Sequence, residues 1–582
     1  MADFQNPQQD PGMERRLLLV FALTFVVIIL FQPILKKFMP QTPAAPTQTQ
    51  NQPQPQTTTP ATLPPALQPA MPAAAAGKNK QATNESETVV ENDLYRITFT
   101  NRGGQVKSWI LKKFANDYGK PLDLVNQLAA PKHGWPLSLW TYDEGLRNKI
   151  NSALYVGSAQ GTQHAPSTLT FEYADQDVTV RKTFRFDNTY VLGVETSVLL
   201  KGSLVSAFPM WPAGLGDEVR PASYAAAQIE FQNNGTTERL AIKKVIGGNT
   251  LHGPFNWIGV TDQYFAAVFL PDDPANAAAV TLRNPLDIPK DWTKPNPQDT
   301  VKVEVLGAAV GDFRGPTVQR MYVGPKALAV LESTPVPTIN GAPPDLRSLV
   351  NFGFFGIIAR PLFLWLKWTY EHIVANWGWA IVIQTLIINL ALLPLRISSM
   401  KSALKMQKVQ PQMNAIREKY KKYSMRDPRK QEMNQEIAAL MKKEGVNPTG
   451  GCLPLIIQMP FLFAYYSMLG SALDLRHASW LWIHDLSAPD PLYLLPIGIV
   501  ISMFITQRMT PQAGMDPAQQ KMMAFMMPVM IGVISFNLAA GLCLYWTEGN
   551  IIAIVQQSLM NRTSLGKEMR ELAAKRARKK DK

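Results

Sequence analysis

The sequence predicts a multi-domain, polytopic α-helical membrane protein that carries a large antiparallel β-sandwich outside the cytoplasm. Three observations lead to this fold class. An apolar segment lies near the N-terminus, a strand-rich region follows it, and five further apolar segments occupy the C-terminal part of the chain. The mean hydropathy of −0.07 conceals this division, because it averages a polar first half and an apolar second half.

The N-terminal apolar segment, residues 17–35, is long enough to cross about 30 Å of hydrocarbon. No convincing small-residue cleavage site follows it, so we expect an uncleaved signal anchor after a cytoplasmic N-terminus, residues 1–16. Residues 36–84 are rich in Pro, Gln, Thr and Ala. Such a composition cannot bury a core, which predicts a disordered tether.

Residues 85–324 show repeated short segments in which apolar and polar residues alternate, as in Tyr95, Ile97 and Phe99, with Gly, Asn and Asp at the turns. This pattern predicts the β-sandwich. Its histidines are scattered and no nucleophile motif accompanies them. We therefore expect a structural or partner-binding module and no enzyme, although a sandwich of this size can also hold a sugar-like or peptide ligand.

Residues 325–375 are interpreted as a linker and an amphipathic helix that lies in the membrane interface. The core, residues 376–561, is expected to contain five spans. They cover residues 377–395, 452–469, 492–506, 522–536 and 540–560. The third and fourth are short, rising only about 22 Å, so they must thin the bilayer or be covered by neighbouring helices.

The charged segment between the first two core spans, residues 396–446, contains apolar residues at helical spacing and a break at Asp427-Pro428. It predicts an antiparallel helical hairpin. The hairpin and the tail, residues 562–582, are strongly basic, whereas the loop 470–491 has one arginine and three aspartates. By the positive-inside rule the hairpin, the tail and both termini are cytoplasmic, with six spans in total and the sandwich outside.

Polar side chains recur at membrane depth. In the first core span Thr385, Asn389 and Arg396 fall on one helical face, whereas Gln384 lies elsewhere. Gln458 lies in the second span. Such amides often only bond a neighbouring helix, for about 0.6 kcal/mol each. Several polar stripes that converge toward one leaflet would instead form a hydrophilic groove.

The last span contributes a stripe of Trp546, Asn550 and Gln557. Glu548 points away from that stripe and is costly to bury as an ion. We expect a neutral carboxyl with an interhelical partner, either Asn389 or Asn537, and groove lining is the alternative. The two cysteines, Cys452 and Cys543, are in or beside apolar segments, and we expect no metal or other cofactor.

Several long motifs resemble those of the YidC-type membrane protein insertases in their long Gram-negative form. They are "KKEGVNPTGGCLPLIIQMPFLFAYYSML", "LWIHDLSAPDPLYLLPI", "DPAQQKMMAFMMPV", "GLCLYW" and "YVGPK". The resemblance covers nearly the whole chain, and the stretch from Asn447 to Pro460 is its most specific part.

The resemblance implies a chaperone that inserts integral proteins into the bacterial inner membrane and helps them fold, with its sandwich in the periplasm. It implies a groove that is open to the cytoplasm and to lipid and closed to the outside. The implied groove residues are Thr385, Asn389, Gln458, Trp546 and Asn550. The implied partners are nascent membrane proteins, the ribosome, anionic lipids and the Sec translocon with its accessory subunits, although such proteins also work alone.

One residue departs from the family pattern. The family usually carries an arginine in the first core span, and Asn389 occupies that place here, with Arg396 almost two turns further along. An amide still donates and accepts hydrogen bonds, so we expect Asn389→Leu to weaken insertion and Asn389→Arg to be tolerated.

The basic tail either binds ribosomal RNA or contacts anionic lipid. Its candidate contact residues are Lys575, Arg576, Arg578, Lys579 and Lys580. The rival function for the whole chain is a solute transporter or channel with an accessory domain, since intramembrane polar residues suit a solute pathway. Against it, no repeat relates the core spans.

Overall fold

The computed structural model describes residues 79–291, 296, 298–334, 345–423, 427–446, 453–509, 517–564, 566–568 and 571. The predicted signal anchor, most of the predicted tether, the motif from Asn447 to Cys452 and the basic residues 575–580 of the tail lie outside these described residues.

The first described domain consists of twenty strands. They are β1 Glu87–Glu91, β2 Tyr95–Thr100, β3 Gln105–Ala115, β4 Pro121–Asp123, β5 Leu139–Trp140, β6 Val156–Gly157, β7 Gly161–His164, β8 Ser167–Ala174, β9 Val178–Phe186, β10 Val191–Leu200, β11 Ser203–Leu204, β12 Phe208–Trp211, β13 Gln228–Asn233, β14 Thr236–Ala241, β15 Thr250–His252, β16 Trp257–Thr261, β17 Phe265–Pro271, β18 Ala277–Pro289, β19 Thr300–Asp312 and β20 Thr317–Pro325. Four short helices accompany them: α1 Ala130–His133, α2 Glu144–Ser152, α3 Pro221–Ala226 and α4 Leu328–Ser333.

The strands form three sheets. One has the order β4-β3-β2-β1-β7, a second has the order β14-β13-β16-β17-β20-β10-β9-β8-β6 with β11 beside β10, and a third has the order β15-β18-β19-β12-β5. Neighbouring strands are antiparallel, apart from the parallel pair β1–β7. The predicted β-sandwich is therefore confirmed, and the third sheet and the parallel pair are features that local alternation does not reveal.

The sandwich core follows the alternation seen in the sequence. Tyr95, Ile97 and Phe99 on β2 are almost fully buried, because successive side chains of a strand point to opposite faces. The ring of Phe99 packs against Phe184 at 5.1 Å and Phe171 at 5.9 Å. Each such buried ring contributes roughly 1.5–3 kcal/mol, so this cluster joins the first sheet to the second.

Lys182 on β9 is a fully buried lysine inside this core. Its Nζ donates hydrogen bonds to the carbonyl oxygens of Leu137, Gly103 and Gly104 at 2.5, 2.8 and 2.9 Å. Both glycines have positive φ, a conformation that favours glycine and turns their carbonyl groups toward one point. Lys182 thus fixes the turn between β2 and β3 to the second sheet.

Eight longer helices follow the sandwich. They are α5 Gly356–His372, α6 Trp377–Ala391, α7 Leu393–Lys419, α8 Arg429–Lys443, α9 Leu453–Ser471, α10 Leu494–Met509, α11 Pro517–Ser535 and α12 Ala540–Arg562. Helix α5 corresponds to the predicted interfacial helix, and α6, α9, α10, α11 and α12 correspond to the predicted core spans. Helix α12 packs against α6 and α10, and α5 packs against α9.

Helices α6 and α7 are separated only by Leu392 and meet at a bend of 48°. Pro394 lies in the first turn of α7, where its missing N–H costs no hydrogen bond. By length and composition this bent pair is a candidate membrane span, whereas no single helix among the described residues passes the same test.

The predicted cytoplasmic hairpin is formed by α7 and α8. Val409 and Met413 of α7 pack against Ile437 of α8 and against Val446. Outside this contact Lys419 Nζ donates to Glu436 at 2.8 Å. The apolar spacing in the sequence predicted this contact, and the hairpin's charges lie mostly at its surface.

The sandwich contacts the loop between α9 and α10. Arg476 in that loop is almost enclosed, and its guanidinium lies 3.4 Å from Asp117 and 3.6 Å from Asp217 of the sandwich. It also lies over the ring of Tyr264, 5.3 Å from its centroid. His477 Nε2 lies 3.4 Å from the Asp117 carboxylate. This group of contacts is the junction between the two parts of the chain.

The junction depends on pH. The hydrogen bond from His477 and the charges of Arg476 and Arg220 lower the pKa of Asp117 to about 2 from 3.8. A carboxyl whose folded pKa lies below its unfolded value stabilises the fold above the unfolded pKa. We therefore expect this contribution to be present above about pH 4 and lost as the pH falls toward 2.

Arg476→Ala is expected to weaken the junction by about 2 kcal/mol, because it removes the cation beside the half-buried Asp117 carboxylate and the buried Asp217 carboxyl group. Amide hydrogen exchange in the α9–α10 loop should then accelerate by roughly 30-fold. The control is Arg181→Ala, which removes an exposed pair with Glu172 and should change exchange little. Unchanged exchange in the loop of the Arg476 variant would contradict this account.

Candidate functional site

The candidate site is built on α6, an apolar helix with a polar stripe. Asn376 caps its N-terminus by accepting a hydrogen bond from the N–H of Trp379 at 3.1 Å. Thr385 and Asn389 follow one turn apart and are only 0% and 3% exposed. The Thr385 hydroxyl donates to the Ile381 carbonyl at 2.7 Å, and the Asn389 amide donates to the Thr385 carbonyl at 2.8 Å.

Arg396 of α7 reaches back to this stripe. Its Nη2 donates to Asn389 Oδ1 at 3.1 Å and its Nη1 donates to Gln556 Oε1 at 2.9 Å. Gln556 of α12 in turn donates to the Asn389 carbonyl at 3.2 Å. Side chains on a helix lean toward its N-terminus, which lets the long arginine span the bend. We call Asn389, Arg396 and Gln556 the Arg396 cluster.

The Arg396 cluster carries a positive charge. Its guanidinium donates to two neutral amide oxygens, and among the residues that the structure describes it forms no ion pair. Arg396 is half-buried and Gln556 is 7% exposed. The cluster therefore places an uncompensated cation, with unused donors, between α6, α7 and α12.

Gln384 lies outside the Arg396 cluster and connects three helices. Its Oε1 accepts a hydrogen bond from Tyr465 of α9 at 2.5 Å, and its Nε2 donates to the Leu362 carbonyl of α5 at 2.9 Å. The Tyr465 ring stacks on Tyr545 of α12, with centroids 4.0 Å apart. Gln384 is fully buried, and both of its side-chain hydrogen bonds go to neighbouring helices. It therefore acts as an amide that joins helices.

Glu548 is half-buried on α12, and its carboxyl faces Thr385. The sequence led us to expect Asn389 or Asn537 as its partner. Asn389 is occupied by Thr385 and Arg396, and Asn537 is exposed before the start of α12. The described residues therefore give Glu548 no hydrogen bond to either asparagine, and the neighbour that its carboxyl faces on another helix is Thr385. Glu548 Oε2 is enclosed without a hydrogen-bond partner among the described residues.

The remaining predicted groove residues are distributed over two helices. Trp546 of α12 is half-buried against the apolar core of the bundle. Asn550 donates to Ser502 Oγ of α10 at 3.0 Å. Gln458 of α9 is half-buried. The structure thus groups Thr385, Asn389 and Glu548 together and directs Asn550 to a different helix.

Sequence reasoning missed two residues. Gln556 lies next to the predicted stripe residue Gln557, and only the helix rotation distinguishes them. Tyr465 lies in the motif "KKEGVNPTGGCLPLIIQMPFLFAYYSML", but no polar residue at helical spacing distinguishes it from the apolar residues around it. No group of three or more His, Cys, Asp or Glu within the described ranges could hold a metal ion.

Two family descriptions match the chain and together cover most of it. Residues 87–365 match the YidC periplasmic domain, and residues 368–568 match the 60Kd inner membrane protein family. A protein of Geobacter sulfurreducens named membrane protein insertase YidC is 33% identical over 493 residues, which are 81% of this chain and 86% of that protein. The protein of the same name in Geobacter metallireducens is 32% identical over 95% of this chain and 99% of its own.

A solved structure described as an active YidC insertase with its first transmembrane domain resolved is also similar to this chain. The two are 19% identical, with coverage of 84% of this chain and 95% of that one, at a TM-score of 0.33.

The sandwich, the helical bundle and these matches define an inner-membrane protein with a large periplasmic domain. The two named relatives are 33% and 32% identical to this chain over 81% and 95% of its length, which identifies the family. The chain belongs to the YidC family of membrane protein insertases.

Proposed function

We propose that this chain inserts hydrophobic segments of newly made proteins into the bacterial inner membrane and helps them fold. The named relatives support the activity. The single observation in the structure that supports it is the Arg396 cluster, a half-buried cation that lies between helices and keeps further donors for a ligand. The rival function, a solute transporter or channel, finds no support among the relatives.

The proposed mechanism uses the Arg396 cluster as a temporary substitute for water. A client's polar or acidic flank accepts hydrogen bonds from the guanidinium, so it sheds its hydration in stages. Its apolar segment then moves into lipid, which is favourable because apolar surface leaves water. The membrane potential acts on any charge that crosses. No nucleotide or catalytic group takes part in these steps.

We assign the groove lining to Thr385, Asn389, Gln458 and Trp546, together with Arg396. The contacts of Asn550 and Gln384 support a different role for these two, since each bonds a neighbouring helix. Glu548 is proposed to line the groove beside Thr385, which is the alternative that the sequence left open.

The proposed topology has six spans, namely residues 17–35 and the helices α6, α9, α10, α11 and α12, with both termini in the cytoplasm. The positive charge of the hairpin supports this orientation. The proposed partners are nascent membrane proteins, the Sec translocon and the ribosome. The basic tail residues Lys575, Arg576, Arg578, Lys579 and Lys580 are proposed to contact ribosomal RNA or anionic lipid.

Site-specific photocrosslinking to a stalled nascent chain tests this proposal. A crosslinker in place of Asn389 or Trp546 is expected to capture the client's hydrophobic segment. The matched control is Val555, which is exposed on α12 about half a turn away in angle from Trp546. Equal capture from all three positions, or none from the first two, would contradict a groove at this place.

A further inference from the structure

The periplasmic domain contains a cleft that the proposed mechanism does not use. It has a volume of about 420 Å³, within the range of ligand-binding pockets. It lies against the third sheet, beside α1 and α2. The lining consists of His133, Trp140, Arg147, Met210, Gly247, Gly248, Leu282, Arg283 and Asn284.

The cleft is cationic. Its described lining includes two arginines, Arg147 and Arg283, and no acidic residue. The guanidinium of Arg147 lies over the ring of Trp140, 4.1 Å from its centroid, and its Nη1 donates to the Thr141 carbonyl at 3.3 Å. These two contacts keep the group in place and leave further donors for a ligand. Arg283 is partly compensated, because its Nε donates to Glu304 at 3.3 Å.

Two exposed lysines precede a segment of the cleft in the chain. Lys243 and Lys244 are exposed just before the Gly247–Gly248 segment that lines the cleft. Gly248 has φ +81°, and a Cβ at Gly247 would lie 3.2 Å from the Arg283 carbonyl. These glycines therefore bring the backbone close to Arg283 in the cleft.

An exposed aromatic surface adjoins the cleft. Phe208 of β12 pairs with Trp140 of the cleft in the strand register, and its ring contacts Tyr142 and Phe313. Tyr142 is 54% exposed and stacks on Phe313, which is 39% exposed and also stacks on His252. We call Tyr142, His252 and Phe313 the aromatic shelf.

We propose that the cleft and the aromatic shelf bind extended acidic segments of client proteins after these segments reach the periplasm. The proposal rests on the proposed insertase function. Charge complementarity selects this partner: short periplasmic segments of membrane proteins are depleted in Lys and Arg, so an acidic residue in such a segment has few cations beside it. Arginine donates two parallel bonds to a carboxylate, and rigid aromatic rings provide contact area at low entropic cost.

The binding test uses the full chain in lipid nanodiscs and two labelled peptides. One contains Gly, Ser, Tyr, Asp and Glu, and its partner carries Lys at every acidic position. The acidic peptide should bind about tenfold more tightly than the basic one, and its affinity should fall between about 50 and 300 mM salt. Equal affinity for the two peptides would overturn the proposal.

Two variants locate the binding site. Arg147→Gln should weaken the binding of the acidic peptide by about tenfold. Arg181→Gln, on an exposed part of β9, should leave this affinity unchanged. If Arg147→Gln lowers the melting temperature, the test uses Tyr142→Ser on the exposed aromatic shelf instead. This variant should bind the acidic peptide about fivefold more weakly than the wild type. Wild-type affinity in both folded variants would refute binding at the cleft.

A parallel assay separates this proposal from the insertase function. The same variants are reconstituted with a single-span client that lacks a periplasmic loop, and its insertion should be unchanged. If the wild-type chain fails to insert any client but still binds the acidic peptide through Arg147, the insertase proposal fails and the cleft proposal survives. If insertion proceeds and binding does not depend on Arg147, only the cleft proposal fails.

Discussion

Arg396→Gln is expected to lower the insertion of clients with acidic or polar N-terminal tails by about tenfold or more. The variant keeps hydrogen-bonding capacity near Asn389 and Gln556 but removes the only cation of the cluster, and a charge-assisted bond is roughly twice as strong as a neutral one. Insertion is measured in reconstituted vesicles by protection of the translocated tail from protease. A client with a short, uncharged tail serves as the matched control and should be affected less.

The position of Arg396 reverses the expectation that Asn389→Arg is tolerated. A second guanidinium about 4 Å from the first would repel it by roughly 4 kcal/mol at an effective dielectric constant of 20. The single variant should therefore lose activity. The double variant Asn389→Arg with Arg396→Gln restores one cation at the family position and should recover most of it. A fully active single variant would contradict the expected repulsion between the two guanidinium groups. An inactive but folded double variant would show that a cation at position 389 cannot replace Arg396.

Lys182→Met is expected to destabilise the sandwich by about 3 kcal/mol, because three buried carbonyl oxygens lose their donor together. Hydrogen exchange of β2 and β9 amides in the full chain measures the effect. Arg181→Met is the control, since its exposed side chain lies next to Lys182 on the same strand and its loss should cost less than about 0.5 kcal/mol. Equal exchange in both variants would refute the role of Lys182.

Because Lys182 is buried, we also expect the stability of the sandwich to depend on pH. Burial lowers the pKa of Lys182 to about 7 from 10.5. Between these values the unfolded state binds more protons than the folded state, so the stability of the domain should rise with pH from about 7 to about 10.5. Lys182→Met should remove this rise. A wild-type domain whose stability is flat over that range would instead mean that the three carbonyl oxygens keep the ammonium charged.

Local patterns predicted much of this molecule. The alternation around Tyr95 and Phe99 predicted buried strands, and the spacing of Met413 and Ile437 predicted the helical hairpin. Both patterns depend on neighbours in sequence, which a one-dimensional reading captures. Strand order could not be predicted, because β10 pairs with β20 more than a hundred residues later.

The candidate site was predicted only in part, for a geometric reason. Thr385 and Asn389 were assigned to one face by the helical period, and they are on one face. The partner of Asn389 depends on the bend at Leu392 and on the rotation of α12, which selects Gln556 instead of Gln557. Neither quantity is encoded in spacing, so the sequence placed Arg396 on the face of Asn389 but did not identify the hydrogen bond between them or the link to Gln556.

The bend between α6 and α7 also decides which part of the molecule holds the cation. A guanidinium on α6 would belong to the helical bundle, whereas Arg396 belongs to the helix that continues as the first arm of the hairpin. Because one helix carries both Arg396 and an arm of the hairpin, we propose that a partner which displaces the hairpin also moves the charge relative to Asn389. Client contacts at the Arg396 cluster would then respond to binding at the hairpin.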